Sequence, residues 1–310
     1  MSRGAILALL ASSTTAYADQ QFAAPSATHE EPSQGVVGGT TVAVGDWPDA
    51  VAVLGTNGTC TGTLIAPDVV LTAGHCANIK PEQVIANTID YSQSGGVRVH
   101  VASVEAYPNW QTEYDIAVLV LASPIEGVAP RKVGTSCTFH NFVRSTAVHL
   151  VGFGATDTNG ATANTQLRQA MTEVIDPDCS GGKGCKTAVA PGGEFVAGGT
   201  GTADSCFGDS GGPVYLDTPN GVVVVGAVSR GVDGAATPCG GGGIYVRTDK
   251  LVEWIEKTTG KTIATDECDG AEYTGELASE VNDQVGCAAT GGSGFGAVGL
   301  VLLALRRRRR

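Results

Sequence analysis

Residues 208–213 read Gly208-Asp209-Ser210-Gly211-Gly212-Pro213, a serine hydroxyl set among glycines beside a carboxylate. Upstream stand Thr72-Ala73-Gly74-His75-Cys76 and Tyr114-Asp115-Ile116-Ala117-Val118-Leu119, so a histidine, an aspartate and a serine follow one another in that order. A free serine hydroxyl does not attack at neutral pH. His75 can take its proton if the two lie within hydrogen-bond reach, and Asp115 can hold the imidazole in the useful tautomer and stabilise its charged form. Charge developing on an attacked carbonyl oxygen needs main-chain N–H donors beside it, which a glycine-rich loop can turn inward. Each motif alone has a plainer reading, as a turn, a core histidine or a strand-edge cap. Together, in order and with Cys76 beside the histidine, they point to nucleophilic catalysis at a carbonyl group. His29, His100, His140 and His149 have no motif around them and read as structural or solvated.

Groups so distant in sequence must be gathered by a framework, and between Val36 and Thr259 the chain reads as strands joined by turns. Residues 51–54, the turn pair Asn57-Gly58 and residues 61–65 form a hairpin signal, because Asn-Gly tolerates the backbone a tight turn demands. Residues 97–101 alternate, whereas 116–121 and 222–228 are apolar runs of the kind that bury both faces of a strand. Near the end Asp249 is placed to cap a helix whose Leu251, Trp254 and Ile255 share one apolar face. Forty-four glycines and 5% aromatic residues fit a turn-rich all-β protein, and 310 residues allow one large domain or two small ones. A net charge of -12 argues against nucleic acid as a partner.

The two ends carry their own signals. Residues 1–18 hold Arg3, an apolar run and a closing Ala16-Tyr17-Ala18, the pattern of a secretory signal peptide. Export permits disulfides, so nine cysteines without zinc-site spacing read as covalent staples. Glu82 and Asp90 share a loop without a convergent pattern for calcium, and no metal or other cofactor is expected. Residues 263–286 are acidic with few apolar partners and read as a solvated spacer. Residues 287–310 comprise Cys287, an apolar glycine-rich stretch over 288–305 and the five arginines Arg306 to Arg310. That stretch is barely long enough to cross a bilayer, with the arginines as a cytoplasmic stop.

On the His75, Asp115 and Ser210 motifs the chain resembles a trypsin-like serine endopeptidase of the chymotrypsin family. The resemblance implies an all-β fold over residues 36–262, two packed six-stranded antiparallel β-barrels with a C-terminal helix. It implies His75, Asp115 and Ser210 as catalytic residues and Gly208 and Ser210 as the oxyanion hole. Val36-Val37-Gly38-Gly39 resembles the N-terminus released when such zymogens are cut, with 19–35 as propeptide and the freed Val36 ammonium pairing with Asp209. Gly35 replaces the basic residue usual before that cut, so a separate activating protease is expected.

Asp204 falls where trypsin-like members place the charge at the base of the primary pocket, and Gly231 and Gly243 where they keep glycines along its walls. A carboxylate there favours an arginine or lysine side chain. Arg230 departs from the aromatic residue usual at its place, although Ser229 and Gly231 can still offer main-chain groups to an extended peptide. Cys60 with Cys76 and Cys206 with Cys239 match family pairs. Cys179 and Cys185 read as a local pair, Cys137 and Cys268 remain to be joined, and Cys287 is left over.

The tail resembles the C-terminal sorting signal of myxobacterial surface proteins, which implies sorting machinery, membrane association through the tail and attachment to the cell surface or outer membrane. A permanent anchor is the plainer alternative. Taken together these features read as a secreted or surface-attached endopeptidase that hydrolyses protein or peptide substrates after Arg or Lys through an acyl-enzyme. Two other readings stay open: a catalytically silent binding protein on the same fold, and an active serine protease of non-basic preference with Asp204 outside the pocket.

Overall fold

The hairpin expected around Asn57-Gly58 forms between β2 (Ala50–Gly55) and β3 (Gly58–Ala66), with Gly55 opposite Gly58. In the computed structural model these strands continue through β4 (Val69–Thr72), β7 (Ala117–Leu121), β6 (Val97–Ala106) and β5 (Pro81–Ala86), which returns to β2 and closes a six-stranded antiparallel barrel. The structure describes residues 36–199 and 201–267. They belong to one compact unit, and the expected signal peptide, propeptide, sorting tail, Cys268 and Cys287 lie outside the described residues.

A second barrel runs β8 (Ala147–Gly152), β9 (Arg168–Asp176), β10 (Glu194–Ala197), β13 (Gly243–Arg247), β12 (Gly221–Gly231) and β11 (Pro213–Thr218), closed by pairing of β11 with β8. The two-residue strand β1 (Thr40–Thr41) adds to the free side of β9. Each barrel fills its own interior. Val51, Val53, Leu64, Val70 and Leu119 pack in the first, and Leu150, Val174, Phe195, Val214 and Tyr245 in the second. Ile65, Leu71, Ile116, Val151, Phe153 and Tyr215 join a further cluster that fuses the two.

The closing helix α1 (Val252–Thr259) seats Ile255 in that fused cluster, fully buried. Removing such a side chain from water is worth about 2 kcal/mol. Gly260, in the left-handed region, ends the helix as a C-terminal cap. Its start differs from the sequence expectation: Leu251 is the N-cap residue, with no side-chain capping bond. A 3₁₀ turn over Thr248–Lys250 intervenes, and the Asp249 carboxylate is held instead by Arg247 Nε and Nη2, both at 3.0 Å.

Candidate active site

His75 sits in a 3₁₀ helix, Gly74–Ile79, directly after β4, and Asp115 lies just ahead of β7. Both belong to the first barrel. Ser210 lies just ahead of β11 in the second. The two halves are stitched together at this point, because Thr61 of β3 takes Ser210 O on its N–H at 3.0 Å and donates its hydroxyl to Gly208 O at 2.8 Å. Cys76 Sγ, one residue beyond the histidine, lies 3.6 Å from Ser210 O. The approach depends on Gly211, with φ of 77°: a Cβ there would collide with Thr72 Oγ1 and with the main chain of Ala73 and Thr61.

Asp115 grips His75 twice. Its Oδ1 accepts the His75 main-chain N–H and its Oδ2 meets Nδ1, each at 2.8 Å. The Ser229 hydroxyl donates to the same Oδ2 at 2.7 Å. Burial alone would push the Asp115 carboxyl up, but the hydrogen bonds and charge of His75, with the Ser229 hydroxyl, hold it below the ordinary carboxylate value. With Nδ1 turned to the carboxylate, Nε2 faces away from it. Among the described residues Ser210 Oγ is in no hydrogen bond. Such contacts are often long before substrate binds and tighten in the complex.

Several main-chain N–H groups of the loop from Cys206 to Gly212 are taken within the protein. Those of Asp209, Gly211 and Gly212 are taken by Cys206 O, Val228 O and Asp209 O. Among the described residues those of Gly208 and Ser210 have no acceptor, which is the condition for receiving a developing oxyanion. Gly208 has φ of 98°, and a Cβ on it would come within 2.9 Å of Gly154 Cα. Behind the loop the Asp209 carboxylate is 1% exposed and accepts the N–H groups of Gly154 at 2.7 Å and Cys206 at 2.9 Å. No cation reaches it among the described residues, and burial pushes its pKa up to about 7. Val36 is buried among Phe139, Phe142 and Val148, and Val37 bridges Asp204.

Asp204, Gly231 and Gly243 are brought together. Gly231 pairs with Gly243 across β12 and β13, and Tyr245, 3.5 Å from Asp204 through its hydroxyl, lies directly under Gly243. The Asp204 carboxylate is 1% exposed and already accepts the N–H groups of Ser205, Gly240 and Gly242. Burial pushes its pKa up against those bonds. Arg230, partly exposed, reaches onto Glu194, which is fully buried, in a two-pronged pair at 2.7 and 2.9 Å. Sequence reasoning placed Ser229 only as a main-chain contact for substrate, whereas its hydroxyl belongs to Asp115. It missed Glu194 altogether, since a lone glutamate ahead of an apolar run carries no signal of a partner.

Disulfides Cys60–Cys76, Cys179–Cys185 and Cys206–Cys239 form as expected. Cys137 is disulfide-bonded too, and Cys268, its expected partner, lies outside the described residues. The sulfurs nearest His75 and Glu194 are therefore spent, with no thiolate to offer a metal.

Two joined barrels, with an aspartate-gripped histidine on one and a serine loop of the other pinned to the strand beside it, match a chymotrypsin-fold serine protease. A family model described as Trypsin matches residues 36–255. Chymotrypsin-like elastase family member 1 of Bos taurus is 32% identical over 250 residues, covering 71% of this chain and 88% of that protein. Its Homo sapiens counterpart is 29% identical over 245 residues, with 71% and 90% covered. The chain belongs to the trypsin family and is a serine endopeptidase, acting on proteins or peptides.

Proposed function

We propose that Ser210 is the nucleophile, His75 its general base and then acid, and Asp115 the group that orients and stabilises the imidazolium. Ser210 Oγ attacks the substrate carbonyl, His75 Nε2 takes the proton, and the Gly208 and Ser210 N–H groups receive the oxyanion. The amine leaves with the proton from His75, and water repeats the sequence to release the acyl group. The observation that carries this reading is the pair of unsatisfied donors beside Ser210, on a loop pinned to the strand that leads into the histidine's disulfide. A fluorophosphonate added to chain beginning at Val36 is expected to label Ser210, and His75→Ala is expected to abolish labelling. Labelling elsewhere, or none, overturns the assignment.

The primary pocket has Asp204 at its base and Gly231 and Gly243 as walls, and the first reading is cleavage after Arg or Lys. A second reading is favoured by a specific observation: both Asp204 oxygens are already engaged by main-chain donors. The relatives, moreover, carry the name elastase. Turnover of arginyl, lysyl, phenylalanyl and alanyl reporter peptides separates the two, and a preference for alanyl places Asp204 in a purely structural role.

Activation follows a cut after Gly35 by another protease, whereupon the Val36 ammonium pairs with Asp209 and orders the oxyanion loop. The buried, cation-free Asp209 supports this. The signal peptide at 1–18 and the disulfides support export, and the tail at 287–310 is the element for sorting and attachment at the cell surface. No helix among the described residues is long and apolar enough to cross a membrane.

A further inference from the structure

We propose that Arg230 is a positioning residue for the His75–Asp115 pair, acting through the Ser229 hydroxyl and locked in place by Glu194. The inference rests on the roles assigned to His75, Asp115 and Ser210 above.

Neighbouring residues in a regular strand point to opposite faces, so Ser229 and Arg230 of β12 would not normally touch. Here the register against β13 shifts between Val228 and Arg230, leaving Ser229 as the extra residue of a bulge. Both side chains then turn the same way, and Arg230 Nη1 donates to Ser229 Oγ at 2.9 Å. A guanidinium can only donate and a carboxylate can only accept. The single Ser229 proton therefore has one place to go, Asp115 Oδ2. Arg230 fixes a rotor that would otherwise be free to leave the carboxylate.

The same arginine has nothing to spare for substrate. Nε donates to Gly184 O at 3.2 Å, and Nη1 to Glu194 Oε1 at 2.7 Å as well as to Ser229. Nη2 donates to Glu194 Oε2 at 2.9 Å and to Gly184 O at 2.7 Å. These contacts use every N–H a guanidinium carries. Glu194, held in turn by the Lys186 main-chain N–H at 2.8 Å, is the anchor that keeps the fork in this orientation. The Lys186 ammonium, another cation near Asp115, donates to Trp110 O and acts on the aspartate by charge alone. Although Arg230 stands beside the substrate cleft, its chemistry faces the catalytic aspartate.

The test is a mutant cycle on chain cut at Val36. Glu194→Leu with Arg230→Met replaces a part-buried ion pair by apolar groups, a change that proteins commonly fold around. It is made in the native background and again with Ser229→Ala. The expected result in the native background is a loss in kcat of about 10-fold with KM changed less than about twofold. The acid limb of the kcat/KM profile moves to higher pH, since Asp115 stripped of a donor holds the imidazolium more strongly. With Ser229→Ala already in place, the pair replacement costs nothing further.

Losses that multiply across the cycle, an unmoved acid limb, or an effect confined to KM would overturn the proposal. Should the apolar pair not fold, Arg230→Lys carries the same test. Its ammonium has three donors, which Glu194 and Gly184 O absorb, leaving Ser229 unheld. The same fall in kcat, absent with Ser229→Ala, supports the proposal, and unchanged kcat overturns it. Uncleaved reporter peptide and unlabelled Ser210 in the unmutated chain would instead sink the underlying catalytic assignment.

Discussion

At the scale of single residues, Asp209 couples chemistry to stability. Its folded pKa of about 7 lies above the ordinary aspartate value of 3.8, so in uncut chain the folded state binds its proton more tightly than the unfolded state does. The stabilisation from this group is therefore complete below about pH 4 and is lost as pH rises toward 7, beyond which it is flat. An ammonium at Val36 reverses the logic, because a paired carboxylate stays ionised and its pKa falls. Urea titrations of uncut Ser210→Ala chain should show the unfolding midpoint falling between pH 5 and pH 7, and Asp209→Asn should remove that fall. A midpoint independent of pH in the uncut chain would mean that Asp209 is not a protonated, waiting acid.

At the scale of elements, the barrels are joined by more than apolar packing. Asp49, fully buried immediately before β2, accepts Arg131 Nε at 2.9 Å and Nη2 at 2.5 Å from the segment linking the barrels. It also accepts the Tyr215 hydroxyl of β11 at 2.6 Å. The guanidinium lies over the Tyr215 ring at 4.9 Å, and Tyr215 stacks on Trp47 at 4.6 Å. Removing the shared carboxylate strands a part-buried cation, so Asp49→Ala should cost about 3 to 5 kcal/mol, against about 1 kcal/mol for Tyr215→Phe. Urea unfolding at neutral pH measures both, and a cost below about 1 kcal/mol for Asp49→Ala would show that the clasp adds nothing.

What could be read in advance follows the same division. Residues 116–121 and 222–228 betrayed their strands because both faces are almost wholly buried, and His75, Asp115 and Ser210, the residues proposed for catalysis, stood out because their motifs are local. The link from Glu194 through Arg230 and Ser229 to Asp115 had no such signature. It depends on a bulge in β12 and on β13 lying between β10 and β12, both products of tertiary register. Asp249 misled for a related reason, since a 3₁₀ turn and a neighbouring arginine outcompeted the helix for its carboxylate.

At the scale of the molecule, the described body holds every residue proposed for the chemistry, yet the proposed switch on that chemistry is a cut at its edge. Val36 is buried and the partly buried Val37 bridges Asp204, in the segment that also holds Asp209, so cleavage after Gly35 would deliver a charge beside that segment. Burying an unpaired ammonium is costly, and pairing it with a carboxylate that is equally starved of a partner is what makes the cut worth about a few kcal/mol to the ordered loop. Intact mass and N-terminal sequencing of exported protein should therefore find Val36 first in every molecule that labels with a fluorophosphonate, and Asp19 first in those that do not. The C-terminal arginines should be missing from both if sorting of the tail is independent of activation. Fully labelled protein that still begins at Asp19 would leave Asp209 without its role, because the oxyanion loop would then be ordered with no ammonium to order it.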